Sequence, residues 1–339
     1  MKDPFPKKEI RIAVIGGGTG SFMLLSALKE HTHQLAAIVN MVDDGGSTGV
    51  LRDELGTLPP GDVRQCLVAL SESPKVRELF DYRFENGTFK GHSFGNLLLT
   101  ALEKITDNFS DAVETASEIL HVSGVVIPST LDNIRLKMEW PEVSTILNGE
   151  RIIDAEFFRH DPRRATLSLV PSAKANPLAL KAIEQADMVV IAPGDLYTSL
   201  GPLLIVDGIA RALVDTKAIC VYVSNLVTKN GQTTGFTVSD HAREIERFVG
   251  SPFLDYVIYN EQKPSKIVAQ RYKDEGAFVV KIDKKALDKE KYKTIAGNYL
   301  GEMKAKAKND ILPATRSLIR HDTKAIANTL VDLFNNEFK

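Results

Sequence analysis

Only two cysteines, Cys66 and Cys220, occur in 339 residues. They share no metal-ligand spacing and lie in apolar helix-like and strand-like runs, which argues against a disulfide framework or a thiolate metal centre and fits two buried thiols in a reducing compartment. A predominance of one charge is also missing. The 42 Lys and Arg against 44 Asp and Glu leave a formal net charge of -2, so the chain shows no electrostatic footprint for nucleic acid or an anionic membrane. No apolar run approaches the ~20 residues of a membrane span, and Met1 to Lys8 lacks the apolar core of a signal peptide. A cytoplasmic protein is therefore expected. No Walker-type Gly-Lys-Ser/Thr follows a glycine loop, and no Ser or Cys sits in a recognisable nucleophile elbow, which disfavours acyl transfer. With 43% hydrophobic and 25% charged residues, the chain can bury a full core without staples.

What is present is a concentration of glycine-rich loops between Ile12 and Gln65. The apolar run Ile12 to Ile15 stops at Gly16-Gly17-Gly18-Thr19-Gly20, after which Phe22, Leu24, Leu25 and Leu28 recur at helical spacing. Strand, glycine loop and helix in that order aim backbone N–H groups and a helix N-terminus at an anion, with no Cβ to hold a phosphate away. A tight turn that needs glycine only for packing would read the same. The loop is not a clean dinucleotide fingerprint: Gly16 and Gly18 fit G-x-G-x-x-G, but Ser21 stands at the third glycine position. A nicotinamide oxidoreductase is disfavoured on that ground.

A second strand, Leu35 to Val42, runs into Asp43-Asp44-Gly45-Gly46-Ser47-Thr48-Gly49. A dehydrogenase places one acidic residue at this strand tip, about 20 residues past the glycines. Here there are two, further on. Adjacent carboxylates raise each other's pKa unless compensated, so the pair suggests Mg²⁺, sugar hydroxyls or backbone amides as partners, with an ordinary Asx turn as the alternative. A third loop, Leu58-Pro59-Pro60-Gly61-Asp62-Val63-Arg64, leads into another helix. The expectation is one diphosphate enclosed between the amides of Gly16 to Gly20 and the acidic turn.

Helices are predicted over Val63–Glu72, Lys75–Phe80, Phe94–Ile105 and Asp111–Val122. From Gly124 short strands follow: Val125–Pro128, Asn133–Trp140, Ser144–Leu147 and Arg151–Ile153, the last two joined by an Asn148-Gly149 hairpin turn. Trp140, Phe157 and Phe158 supply the apolar face of this β-rich insertion. From Asn176 strands 187–191, 218–223, 255–259 and 277–282 alternate with helices 178–186, 202–214, 239–249 and 265–273, which implies a parallel sheet. The fold expected is α/β, Rossmann-like, mainly parallel with helices on both faces and a small antiparallel insertion. Its parts are a nucleotide-binding half with a helical segment (1–127), the insertion (128–172) and a second α/β half (173–339) on the same sheet. Ligands gather at the carboxyl ends of such strands, where Ala192-Pro193-Gly194-Asp195 and Ser224-Asn225-Leu226-Val227-Thr228 fall. His241, beside Asp240 at a helix start, reads as a cap or satisfied residue. Lys284 to Pro313, rich in lysine, reads as a solvated helix or extension.

GGGTG, DDGGSTGVLRDELGTLPPGDVRQCLVAL and GHSFGNLLLTAL resemble the bacterial gluconeogenesis factors, nucleotide-sugar-binding proteins of the superfamily named for 2-phospho-L-lactate transferase. The likeness continues to Arg320. It implies a UDP-sugar such as UDP-N-acetylglucosamine as ligand, and a role linking carbon metabolism to cell-wall synthesis and cell shape through protein partners, with a homo-oligomer left open. It implies that Gly16, Gly17, Gly18, Thr19, Gly20, Asp43, Asp44, Gly45, Gly46, Ser47 and Arg64 join Asn96, Asn225, Thr228, Tyr272 and Arg320 around that ligand. The tyrosine would stack on a base and the arginine clamp a diphosphate. The balance is toward a binding protein rather than an enzyme. The alternative is a transferase moving a phospho-acid group from a nucleotide-activated donor, with Asp43 and Asp44 as catalytic residues holding Mg²⁺. The loop after Ile191 lacks the usual Gly-Pro-Gly-Ser start, and its Ser199-Leu200-Gly201-Pro202 resembles the transferase branch.

Overall fold

The computed structural model describes residues 9–301 and 319–337. Seven strands form one sheet: β1 (Ile12–Gly16), β2 (Leu35–Val39), β3 (Val125–Pro128), β7 (Met188–Ile191), β8 (Ile219–Val223), β9 (Tyr256–Asn260) and β10 (Lys293–Gly297). Their order is β10-β9-β8-β7-β1-β2-β3 and every pairing is parallel. β1 and β7 are buried at every position, which is why they read as unbroken apolar runs rather than alternating ones. Alternate β1 residues feed opposite cores. Ala13 and Ile15 pack with Trp140, Ile191, Tyr222 and Phe248 on one face, while Ile12 and Val14 pack with Leu25, Leu67, Leu99 and Leu330 on the other.

The second face is covered by α1 (Gly18–Leu28), α3 (Pro60–Leu70), α5 (Phe94–Ile105), α6 (Phe109–Leu120) and the helix Thr323–Glu337, while α2 (Gly46–Leu55) and α4 (Pro74–Asp81) complete the helical segment before β3. Helices Pro177–Gln185, Ile209–Asp215 and Val238–Val249 cover the first face. There they share one core with the antiparallel insertion, β4 (Arg135–Trp140), β5 (Thr145–Asn148) and β6 (Thr166–Val170), ordered β5-β4-β6.

Several local expectations are corrected. Val125–Pro128 is the edge strand of the main sheet, paired with β2. Asn148-Gly149 does not close a hairpin: Gly149, at φ 97, precedes a helix, Glu150–Ala155, where a strand is predicted. Helix 202–214 is broken into a short turn at Gly201–Leu204 and the helix Ile209–Asp215, and a π-type turn at Leu196–Leu200 precedes them. Segment 277–282 makes only isolated bridges, to Val227 and Thr237. The seventh strand is instead β10, inside the lysine-rich stretch read as solvated, whose residues 302–313 lie outside the described ones. Phe157 is 63% exposed, whereas Trp140 and Phe158 are buried edge to face. Among the described residues no helix is long and apolar enough to cross a membrane. Both cysteines are buried and free, and burial raises both thiols, Cys220 to about 12.

Candidate functional site

β1 is the point where the chain turns back: β2 and β3 lie to one side, β7 to β10 to the other. The loops after β1 and β7 therefore diverge, and a crevice opens at their carboxyl ends. It is a cavity of ≈ 520 Å³, walled by Gly17–Gly20, Gly194-Asp195, the segment Asn225–Thr228, Tyr272 and Arg320. α1 starts at this wall with Gly17 as N-cap and no cap from Gly17 itself; the Gly18 amide bonds Asp62, and the helix N-terminus turns its positive dipole end toward the cavity. Gly20, not the residue at position 21, makes the close approach: a Cβ there would lie 1.8 Å from the Pro193 carbonyl oxygen. Ser21 is buried with its Oγ unpartnered.

The opposite wall is tied together by its own polar groups. Asn225 Nδ2 donates to the Gly194 carbonyl at 2.8 Å while its Oδ1 accepts the Tyr222 hydroxyl at 2.9 Å. Thr228 Oγ1 accepts the Phe278 N–H at 3.0 Å. Lys229, almost buried, donates to Asp195 Oδ2 at 3.0 Å and to Asp154. Tyr272 is 2% exposed, packed with Leu226, Val268 and Ile319, and its hydroxyl accepts the Ile319 N–H. His321 Nε2 donates to the Ser224 carbonyl at 3.0 Å, and burial pushes the imidazole down to about 4, so it is neutral at pH 7.

The acidic turn does not line this cavity. It sits at the neighbouring strand end, with α3 between: a Cβ on Gly18 would stand 2.6 Å from Asp62 Oδ1 and 2.5 Å from Gln65 Nε2, so those two side chains fill the space between the turns. Asp43 Oδ1 accepts the Gly45 N–H at 3.0 Å, an Asx turn. Asp44 caps the insertion helix, Oδ2 accepting the Glu150 N–H at 3.1 Å and Oδ1 the Arg151 N–H at 2.7 Å. Arg52, buried, donates to the Val42 and Asp43 carbonyls and to Asn133, fixing this turn to the insertion. From α3, Arg64 donates to Asn96 Oδ1 at 3.0 Å and pairs with Asp81, and Asn96 donates to Ser47 Oγ at 3.2 Å. Of the predicted residues, Gly17, Gly18, Thr19, Gly20, Asn225, Thr228, Tyr272 and Arg320 thus share the cavity; Gly16 ends β1 beside it. Asp43, Asp44, Gly45, Gly46, Ser47, Arg64 and Asn96 belong to a partition on its far side.

That partition concentrates carboxylates. Burial first, then Asp43, lifts Asp62 to about 8, partly offset by Arg64 and the Gly18 amide. Burial, then Asp43, Asp154, Asp44 and Asp62, lifts Glu150 to about 9. Asp62 and Asp195 stand in loops marked in the sequence but with no role assigned; Gln65, Glu150, Asp154 and Lys229 carry no assignment there, although Glu150 and Asp154 stand four apart on one helix face, a readable signal. His241 is far from this chemistry: Nδ1 donates to the Thr237 carbonyl, and Thr237 with Asp240 forms a capping box.

A switch-point crevice with a glycine loop on one wall and a second α/β half on the other is matched from residue 12 to residue 300 by the family described as 2-phospho-L-lactate transferase CofD, and the chain belongs to that family. Among its relatives is the gluconeogenesis factor of Bacillus subtilis strain 168, 36% identical over 327 residues, which are 95% of this chain and 98% of that one. The gluconeogenesis factor of Halalkalibacterium halodurans is 41% identical over 284 residues, 83% of this chain and 86% of the relative. A crystal structure of a UPF0052-family protein from Bacillus halodurans superposes with a TM-score of 0.86 at 36% identity, covering 96% of this chain and all of that one.

Proposed function

We propose that the cleft between β1 and β7 binds a UDP-sugar such as UDP-N-acetylglucosamine, and that the protein is a cytoplasmic gluconeogenesis factor acting by binding, through which nucleotide-sugar supply is linked to cell-wall synthesis and cell shape. The observation that carries this is the convergence of the glycine-rich α1 N-terminus with Arg320 on one cavity. Helix amides and a guanidinium from opposite walls are the donor set a diphosphate takes. Asn225 and Thr228 shape the floor through their loop bonds, and the buried Tyr272 holds the Arg320 segment in place. Calorimetry with UDP-N-acetylglucosamine tests it: one-site binding by wild type, weakened by Arg320→Ala, is expected. No binding by wild type, or undiminished binding by the variant, removes the reading.

The acidic partition supports a second reading, a metal-dependent transferase. Among the described residues no three His, Cys, Asp or Glu side chains could hold a metal by themselves, and Asp44 has both oxygens committed to helix amides. Asp43 fits better with Asp62: it abuts Gly61 at the start of α3, and burial raises both carboxyls, so a cation arriving with a diphosphate would relieve both. Bound there, Mg²⁺ would supply charge compensation at the phosphates. Asp43 and Asp62 would hold it, and Lys229 would keep Asp195 and Asp154 in place. Product formed from a nucleotide-activated donor and lost in Asp43→Asn favours this reading; binding without turnover across a donor and acceptor panel removes it.

A further inference from the structure

On the far side of the partition lies a second cavity of ≈ 460 Å³, between the start of α2, segment Arg83–His92, β4 and the first turn of the insertion helix. Four cationic side chains from separate pieces of chain line it: Arg83, Lys90, Arg135 and Arg151. Only two carboxylates join them, Asp44 and Asp53, so the cavity carries an excess of two positive charges on a chain whose total is -2. Both carboxylates are already engaged. Arg135 donates to Asp53 at 2.6 Å, and Asp44 is held by the Glu150 and Arg151 amides with Arg135 at 3.6 Å. Arg83 donates to a carbonyl, that of Gly91. Burial and then the neighbouring Arg64 pull its pKa down, partly offset by Asp81. The floor adds donors. α2 starts here with Gly45 as N-cap, no side-chain cap and no acidic residue in its first turn, and Gly46 has nothing within 4 Å of where its Cβ would be. Ser47 Oγ, bonded to His92 Nδ1 at 2.9 Å, faces the same space.

We infer that this cavity is a second ligand site, distinct from the cleft, which takes a small dianion of the phosphomonoester class. Planar guanidinium groups suit phosphate oxygens as bidentate donors, and the charge excess matches a dianion rather than a single carboxylate. The volume admits more than the phosphate alone, so a phosphorylated small metabolite fits. The inference is independent of what the cleft binds.

Titration calorimetry of the full chain with glycerol 3-phosphate, at fixed ionic strength set with chloride, tests it. Saturable one-to-one binding is expected. The double variant Arg83→Glu/Arg151→Glu should weaken it at least about tenfold, since each arginine contributes a charge-assisted hydrogen bond. Val50→Trp, an uncharged change at the exposed rim of α2, should weaken it similarly by filling the space, and an unchanged circular dichroism spectrum shows that both variants fold. An absence of saturable heat overturns the inference, as does binding that survives in both variants, which would put the phosphate in the cleft.

Discussion

The hydroxyl of Tyr272 accepts the backbone N–H of Ile319 at 3.1 Å, one residue before Arg320. A buried ring thereby sets where a guanidinium meets the cleft, and the tyrosine acts by positioning more than by offering an open face for stacking. Tyr272→Phe keeps the ring and leaves one buried N–H unmet, at a cost of about 1–3 kcal/mol. The expected result is a melting temperature lowered by a few degrees with UDP-sugar affinity reduced several-fold in calorimetry. Tyr272→Ala opens a cavity and should lower stability by about 3–5 kcal/mol, so only the phenylalanine variant separates the two effects.

Asp44 is the cap of the insertion helix. Asp44→Ala deletes two charge-assisted bonds to Glu150 and Arg151, and about 2 kcal/mol of local stability should go with them. Hydrogen exchange of amides 150–155 should accelerate while that of β1 and β7 stays slow. Uniform protection in the variant would show that the cap contributes nothing.

Glu150 gives stability a pH dependence of definite sign. Burial, reinforced by Asp43, Asp154, Asp44 and Asp62, raises its carboxyl from 4.5 to about 9. Between those values the folded chain keeps a proton that the unfolded chain has released, so this residue's contribution falls as pH rises through that window. Urea midpoints measured from about pH 5 to about pH 9 should therefore decline less steeply in Glu150→Gln than in wild type.

Two glycines should respond differently to the same change. Gly20→Ala drives a methyl into the Pro193 carbonyl, 1.8 Å away, and α1 must shift from the cleft wall. A loss of about 1–3 kcal/mol, together with weakened nucleotide-sugar binding, is expected. Gly46→Ala meets no atom, but its φ of +44° is costly for a residue with a Cβ, about 1 kcal/mol. It should lower the melting temperature slightly and leave cleft binding unaltered.

The sheet was readable in the sequence wherever burial on both faces leaves an unbroken apolar run, as at Ile12–Ile15 and Met188–Ile191. β10 was hidden because it is an edge strand whose residues are exposed or at most half-buried, with lysines around it; nothing in its pattern separates it from a solvated extension. The helix Glu150–Ala155 was misread because Asn-Gly signals a tight turn locally, whereas the partner that decides the matter, the Asp44 carboxylate, lies 106 residues away. α2 was obscured by Gly46 and Gly49 for a related reason. A Cβ on Gly49 would lie 2.1 Å from the Asp44 carbonyl oxygen, so the tight turn into α2 requires glycine there despite its poor helix propensity. The same limit governs the site. The glycine loop announces itself by composition, but which acidic residues stand beside it depends on how α3 is laid between two strand ends.

Arg11, just ahead of β1, forms a bidentate pair with Asp187, just ahead of β7, across 176 residues of intervening chain. The crevice is made by those two strands, so the wall opposite the glycine loop cannot be assembled from the first half of the polypeptide alone. During synthesis, ligand cannot rescue an incomplete chain, and an amino-terminal fragment that stops before Ile191 should be blind to nucleotide sugar however well its glycine loop is formed.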